Sequence, residues 1–201
     1  MLRAAGLIVA AVVSAAPLVA DAPALTKQDA DRFQAKLTKI VAFGNAKPAA
    51  KAPAPQSTSV TDAEVNSYLR FIATPQIPVG IVEPLLSALG DGRVSGRAIV
   101  DLDAVRKQKQ RGWTDPLAYL SGQLPVTAAG RLTTKDGKGQ FQLDSAEIKG
   151  VPIPKAVLQE LLSYYSRTAE NPAGIDMDAP FELPARIKEI RVGSGTSTVV
   201  Q

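Results

Sequence analysis

The sequence contains no cysteine and no histidine, and these two absences exclude much chemistry. A chain without cysteine forms no disulfide, offers no thiol nucleophile and builds no cysteine-ligated zinc site. A chain without histidine lacks the general base of the Ser-His-Asp hydrolases and the commonest metal ligand. Aromatic residues make up only 5% of the 201 residues, which is little for a surface that stacks nucleic-acid bases.

Signatures of catalytic machinery are also missing. Downstream of residue 24 there is no Ser-x-x-Lys pattern, and the phosphate-binding Gly-x-x-x-x-Gly-Lys loop is absent. Carboxylates are paired at Asp101 and Asp103 and at Asp176 and Asp178, but neither pair has a third carboxylate in register for calcium. We therefore predict loop acids, no metal, no cofactor and no enzymatic activity. An enzyme that uses carboxylates would require two acids to converge in one cleft.

The positive charge of the chain is confined to its N-terminal part. The formal net charge is +4, and residues 25–55 hold six basic and two acidic residues. Residues 56–201 hold 16 basic and 16 acidic residues, so the main body is balanced and nucleic acid is not predicted as its partner. A solvated arm is the simplest interpretation of residues 25–55. Contact of this arm with anionic lipid headgroups, polysaccharide or nucleic acid is the alternative.

The first 24 residues have the layout of a secretory signal peptide. Arg3 precedes an apolar run at 4–19, and the small residues Ala20, Ala22 and Ala24 follow it. The run is shorter than the roughly 20 residues that a membrane-spanning helix needs. We predict a periplasmic or secreted bacterial protein, cleaved near Ala22 or Ala24, with an uncleaved membrane anchor as the alternative.

The next segments predict a short helix and a linker. Thr26 can cap an amphipathic helix that ends near Gly44, so residues 25–44 are assigned to this helix. Residues 45–57 are rich in alanine, proline and lysine, which favours an extended tether. We expect this helix to hang from a single α+β domain at residues 58–201.

Residues 58–148 alternate between helix and strand signals. Thr61 and Glu64 form a capping box that opens a helix, and residues 77–89 fit either a strand or a short helix. Asp91-Gly92 predicts one hairpin turn, and residues 135–139 predict another. A short helix is expected at 116–121. In the strand at 140–149, the apolar residues change from odd to even positions near Asp144. This change predicts a β-bulge that bends the sheet.

The most hydrophobic helix downstream of residue 24 is predicted with Pro154 at its first helical position, followed by a final strand at 187–200. Strands joined by hairpins and interrupted by a few helices indicate an antiparallel α+β fold. We expect a curved antiparallel sheet partly wrapped around this one long amphipathic helix, with the short capped helix before the sheet.

Three motifs in this order resemble a known group of proteins. Residues 61–69 read T-x-x-E-hydrophobic-N-x-Y-L, residues 150–154 read G-hydrophobic-P-hydrophobic-P, and residues 183–192 read L-P-x-x-I-x-x-I-x-V. The combination resembles the AsmA-like and tubular-lipid-binding-like (TULIP-like) bacterial envelope proteins. The resemblance implies a curved sheet that cradles a helix, an apolar groove, and handling of lipid at the envelope. The chain departs from this group in its basic arm and its few large aromatic residues.

Candidate binding residues come from the apolar helix faces and from one basic run. The apolar stripe of the long helix either fills the core or lines a groove for an acyl chain. The basic run either is a solvated loop or contacts an anionic membrane surface. The predicted ligand-binding residues are Tyr68, Leu69, Trp113, Leu158, Leu161, Leu162 and Tyr165. The predicted membrane-contacting residues are Arg106, Lys107, Lys109 and Arg111.

Two functions remain open at this point. The first is binding of a lipid or other apolar ligand in a groove between sheet and helix. The second is a structural or adaptor module with a closed core, which binds another envelope protein through its arm or an exposed strand edge. An apolar cavity of roughly 300 Å³ or more would favour the first.

The signal-peptide hypothesis predicts the N-terminus of the exported protein. After expression in a bacterium, the periplasmic fraction should contain a chain that begins at Pro23 or Leu25. Intact-mass measurement and N-terminal sequencing test this. A chain that starts at Met1 and sediments with membranes would instead support the anchor.

Overall fold

The fold was analysed in a computed structural model, which describes residues 24–47, 54–108, 121–169 and 171–201. The helices are α1 (Lys27–Asn45), α2 (Asp62–Phe71), α3 (Leu102–Gln108) and α4 (Lys155–Ser166), with a 3₁₀ turn at Thr74–Gln76. The strands are β1 (Ser57–Thr61), β2 (Ile81–Gly90), β3 (Arg93–Asp101), β4 (Gln123–Lys135), β5 (Lys138–Ile148), β6 (Val151–Pro152), β7 (Phe181–Glu182), β8 (Glu189–Val192) and β9 (Thr196–Val200).

The strands form two antiparallel sheets. The larger sheet has the order β2-β3-β4-β5-β6, and the short β7 pairs with the opposite end of β5. The smaller sheet has the order β1-β9-β8. The predicted α+β class with an antiparallel sheet is confirmed, and the arrangement is consistent with a curved sheet beside a helix. The second sheet was not anticipated.

Local turn chemistry was predicted correctly. Asp91 and Gly92 connect β2 to β3, and Asp136 and Gly137 connect β4 to β5, all four with positive φ. Two consecutive positive φ values define the type I′ turn that matches the twist of a hairpin. The β4–β5 pairing shifts between Ala129 and Gly130, so the predicted bulge near Asp144 is confirmed.

Three expectations need correction or completion. The single final strand at 187–200 is wrong, because a turn at Gly193 to Gly195 divides it into β8 and β9. The ambiguous segment 77–89 becomes β2 from Ile81 onward. Pro154 is the N-cap residue of α4 rather than its first helical residue. The short helix expected at 116–121 falls almost wholly outside the described residues.

Helix α1 packs against α2 instead of hanging from the domain. The rings of Phe33 and Tyr68 meet edge to face with centroids 5.2 Å apart. Lys36 Nζ lies 2.7 Å from both carboxylate oxygens of Glu64. The Thr26 N–H donates to Ser67 Oγ at 3.1 Å. These contacts make α1 part of the folded body.

Helix α2 covers the outer edge of β2 with side-chain hydrogen bonds. The Asn66 side-chain amide donates to the Leu86 carbonyl at 2.8 Å and accepts from the Leu86 N–H at 2.7 Å. The Asp62 carboxylate accepts from the Ala88 N–H, and the Gly195 N–H donates to the Ala88 carbonyl. This edge clamp, formed by Asp62 and Asn66, pairs backbone groups that an exposed edge strand would leave open to another chain.

The buried core is small, and much apolar surface stays exposed. The buried apolar side chains are mostly small or medium-sized, and they come from both sheets and from α1 and α3. Several large apolar side chains on or just before β2 are exposed, namely Val79, Val82, Leu86 and Leu89. A single exposed apolar residue is ordinary, whereas a run of them along one strand indicates a contact surface.

Loss of the Asn66 amide should destabilise the fold. Asn66 is only 8% exposed, and Asn66→Ala leaves the N–H and the carbonyl of Leu86 without their partners. We expect a loss of about 1–3 kcal/mol in the free energy of unfolding, measured by urea denaturation. Asn45→Ala is the matched control, because Asn45 is exposed at the end of α1. Equal urea midpoints for the two variants would contradict the role of the edge clamp.

Glu64 couples the stability of the α1–α2 pair to pH. Burial acts to raise the pKa of Glu64, but the hydrogen bond from Lys36, the Thr61 N–H and the charges of Lys36 and Arg32 outweigh it. The pKa is therefore lowered from its ordinary value of 4.5. A carboxyl whose pKa falls on folding stabilises the protein above its unfolded-state pKa. That contribution is lost as the pH drops through the folded-state pKa.

The variant Glu64→Gln should reveal this linkage. Wild type should be more stable than Glu64→Gln at about pH 7, and the difference should be smaller at about pH 3, because the stabilisation decreases once the pH falls below the unfolded-state pKa. Urea unfolding at both pH values measures it. Glu160→Gln is the control, because Glu160 is exposed on α4 and forms no ion pair within the described residues. A wild-type advantage that stays constant with pH would disprove the coupling.

Candidate ligand-binding groove

Two adjoining clefts open between α2 and β2. The larger cleft has a volume of about 710 Å³ and lies between the C-terminal half of α2, residues 77–80 and the first half of β2. Its apolar side chains are Leu25, Leu69, Ile77, Pro78, Val79, Ile81, Val82, Pro84 and Leu85. Leu69 is one of the residues that the sequence predicted for a ligand site.

The smaller cleft continues the larger one along the sheet. It has a volume of about 620 Å³ and lies between the first turn of α2 and strands β2, β3 and β4. Leu25, Leu85 and Arg97 line both clefts. We refer to the two clefts together as the α2 groove.

A bulge in β2 shapes the larger cleft. The pairing of β2 with β3 shifts between Val82 and Leu85, and Glu83 within this shift has a φ of 50°. Val82 and Leu85 are three residues apart and would lie on opposite faces of a regular strand. Because of the bulge, Val82 lies opposite Ile99 and Leu85 lies opposite Arg97, so both face the groove.

Proline and glycine support this part of β2. Pro84 stands two residues before Leu86 on the edge strand β2. Proline has no N–H to donate to a neighbouring strand, so it is tolerated at the edge of a sheet. Gly80 has a φ of 91°, and a Cβ atom there would lie 2.2 Å from Val105 Cγ2. A side chain at this position would push the start of β2 away from α3.

The structure separates the residues that were predicted to share one site. Leu69 lines the larger cleft, whereas Tyr68 contacts Phe33 edge to face and lines a shallow depression beside α1. Leu158, Leu161 and Leu162 lie half-buried on α4 and line neither cleft. Trp113 lies outside the described residues, as do Lys109 and Arg111, and the side chains of Tyr165 and Arg106 are also not described. Lys107 is exposed near the end of α3.

Helix α4 is held mainly by the segment that follows it. The Gln159 side chain donates to the Ile175 carbonyl and accepts from the Met177 N–H. Lys155 Nζ lies 2.5 Å from Asp178 Oδ1. None of the α4 side chains that the structure describes is fully buried. The choice between core filler and groove wall for this helix is thus still a matter of prediction.

The paired carboxylates have structural partners. Asp101 Oδ1 accepts from the backbone N–H groups of Asp103 and Ala104 at the start of α3. The Ala104 N–H is the main reason that the pKa of Asp101 lies below its ordinary value. Asp176 Oδ1 accepts from the Asp178 N–H. Within the described ranges, no three acidic side chains converge in a way that could hold a metal ion.

Sequence reasoning missed most of the groove. Arg97 was not among the predicted binding residues, and Val79 and Pro84 belonged to the segment 77–89, which fitted either a strand or a short helix. The available signal was Pro84 in an apolar run that also contains Gly80 and Gly90, because such a run favours an interrupted edge strand.

Comparisons with known proteins give little further information. No family model matches the chain, and no curated protein matches it. A solved structure described as lipopolysaccharide binding protein is similar at 16% identity over 72% of this chain and 40% of that chain, with a TM-score of 0.22. This chain thus spans less than half the length of that structure. Among the helices that the structure describes, none has both the length and the apolar composition needed to cross a bilayer.

Proposed function

We propose that the protein is an exported, non-enzymatic envelope protein that binds a lipid or another apolar ligand in the α2 groove. One observation carries the proposal: two joined clefts of about 710 and 620 Å³ lie between a helix and a sheet. Ligand pockets commonly have volumes of roughly 300–1,000 Å³. The signal-like residues 1–24 support export to the envelope.

The lining of the larger cleft suits an acyl chain. Nine of its residues have apolar side chains, and Val79 is 50% exposed. Burial of each methylene group contributes about 0.8 kcal/mol. An acyl chain with ten buried methylene groups would therefore gain about 8 kcal/mol before the cost of its immobilisation.

The adaptor hypothesis requires a closed core. Open clefts of this size beside α2 favour a small ligand instead. The edge clamp also pairs the part of β2 at Leu86 and Ala88, so this stretch is not free to pair with a partner strand.

Native mass spectrometry of the mature protein tests the proposal. Protein purified from a bacterial periplasm should carry a lipid in stoichiometric amount, which organic extraction followed by lipid analysis would identify. An apo mass that stays unchanged after incubation with envelope lipids would overturn the proposal and favour the adaptor hypothesis.

A bulky side chain in the larger cleft should block binding. Val79→Trp fills part of the cleft and, because Val79 is half-exposed, costs little stability. We expect about a tenfold or greater loss of affinity for a fluorescent fatty acid, equivalent to about 1.4 kcal/mol. Val151→Trp is the matched control, because Val151 is 65% exposed on β6 and lines neither cleft. Equal affinities of both variants would place the ligand elsewhere.

A further inference from the structure

The smaller cleft differs from the larger one in its chemistry. Its sheet side carries the hydroxyl groups of Ser87, Ser95 and Thr127 together with the guanidinium of Arg97. Ser87 lies opposite Ser95, and Arg97 lies opposite Thr127. Directly opposed residues project to the same face of a sheet. The four polar side chains therefore face one space.

These four side chains have no partners in the part of the chain that the structure describes. None of the three hydroxyl groups forms a hydrogen bond there, and Arg97 forms neither an ion pair nor a hydrogen bond. A guanidinium presents a rigid fork of N–H donors that matches phosphate and carboxylate oxygens. Arg97 and the hydroxyl groups thus offer a set of hydrogen-bond donors for an anion.

The other charged residues of the groove leave Arg97 as the free cation at the junction of the clefts. Asp62 lines the smaller cleft, but its carboxylate accepts from the Ala88 N–H. Glu83 and Arg70 line only the larger cleft, where Arg70 also lies over the ring of Phe71. Arg97 and the three hydroxyl groups therefore lie together on the sheet side of the smaller cleft, where it joins the larger one.

We propose that Arg97, Ser87, Ser95 and Thr127 bind the phosphate-bearing head group of an anionic amphiphile whose acyl chain lies in the larger cleft. This inference rests on the proposed function and adds the chemical class of the ligand. Leu25, Leu85 and Arg97 line both clefts, so one molecule can contact the apolar and the polar part at once.

Two lipids that differ only in the phosphate test the head-group assignment. Phosphatidic acid and diacylglycerol with identical acyl chains are titrated against the mature protein, with binding followed by native mass spectrometry. We expect phosphatidic acid to bind about tenfold more tightly, because hydrogen bonds to charged groups are the stronger ones. Arg97→Gln should remove this preference, so that the two lipids bind with similar affinity. Arg97→Lys should retain part of it.

Arg93→Gln is the matched control for the charge change. Arg93 lies on the same strand and the same face as Arg97, is exposed, and lines neither cleft. It should retain the full preference for phosphatidic acid. An equal loss of preference in Arg93→Gln and Arg97→Gln would reflect general surface charge and would overturn the assignment.

The remaining outcomes separate this inference from the proposed function. Equal binding of both lipids by wild type, unchanged in Arg97→Gln, would overturn the head-group site while the lipid-binding function stands. Failure of both lipids to bind would overturn the function itself. Glycerol 3-phosphate, which has the phosphate but no acyl chain, is the third ligand to be titrated. If it binds as tightly as phosphatidic acid, the ligand is a free phosphate ester, and the amphiphile assignment is wrong.

Discussion

The hydrogen bonds between α2 and the outer edge of β2 determine how the helix and the sheet can be arranged. Asn66 and Asp62 fix α2 at Leu86 and Ala88, in the second half of the strand. In the first half, the bulge at Glu83 and the missing N–H of Pro84 offer α2 no comparable attachment. Because the helix is fixed at one end of a strand that is irregular at the other, a gap stays open between them. The α2 groove is this gap.

Features that depend on neighbouring residues were predictable from the sequence. The capping box of Thr61 and Glu64, the turn at Asp91-Gly92 and the bulge near Asp144 each follow from local backbone or side-chain chemistry. The Gly-Ser-Gly turn that separates β8 from β9 was missed, because the flanking valines continued the apolar pattern of a strand. Such errors usually arise because contacts in the folded protein outweigh the structural preference of the local sequence.

Features that depend on distant partners were not predictable. Asn66 binds Leu86, 20 residues along the chain, and no local pattern marks an asparagine as the clamp of a strand edge. The apolar stripe of α2 identified Leu69 as a face residue, but it could not identify the strand opposite. In the same way, the apolar stripe of α4 led to the prediction of Leu158 and Leu161 as binding residues. The stripe contains no information that the clefts form beside another helix, α2.

The alternation of strand residues determines which side chains of β2 and β3 face the groove. Beyond the bulge, β2 and β3 alternate regularly, and the face that carries Ser87, Ser95 and Arg97 is the polar one. At the bulge the alternation shifts by one residue, so Val82 joins Leu85 on this face and adds an apolar side chain to the larger cleft. A regular strand would place Glu83 rather than Val82 on the face of Leu85 and Ser87, and a carboxylate would then stand at this end of the groove. One inserted residue in β2 is therefore enough to place apolar and polar surfaces end to end, the arrangement that an amphiphilic ligand requires.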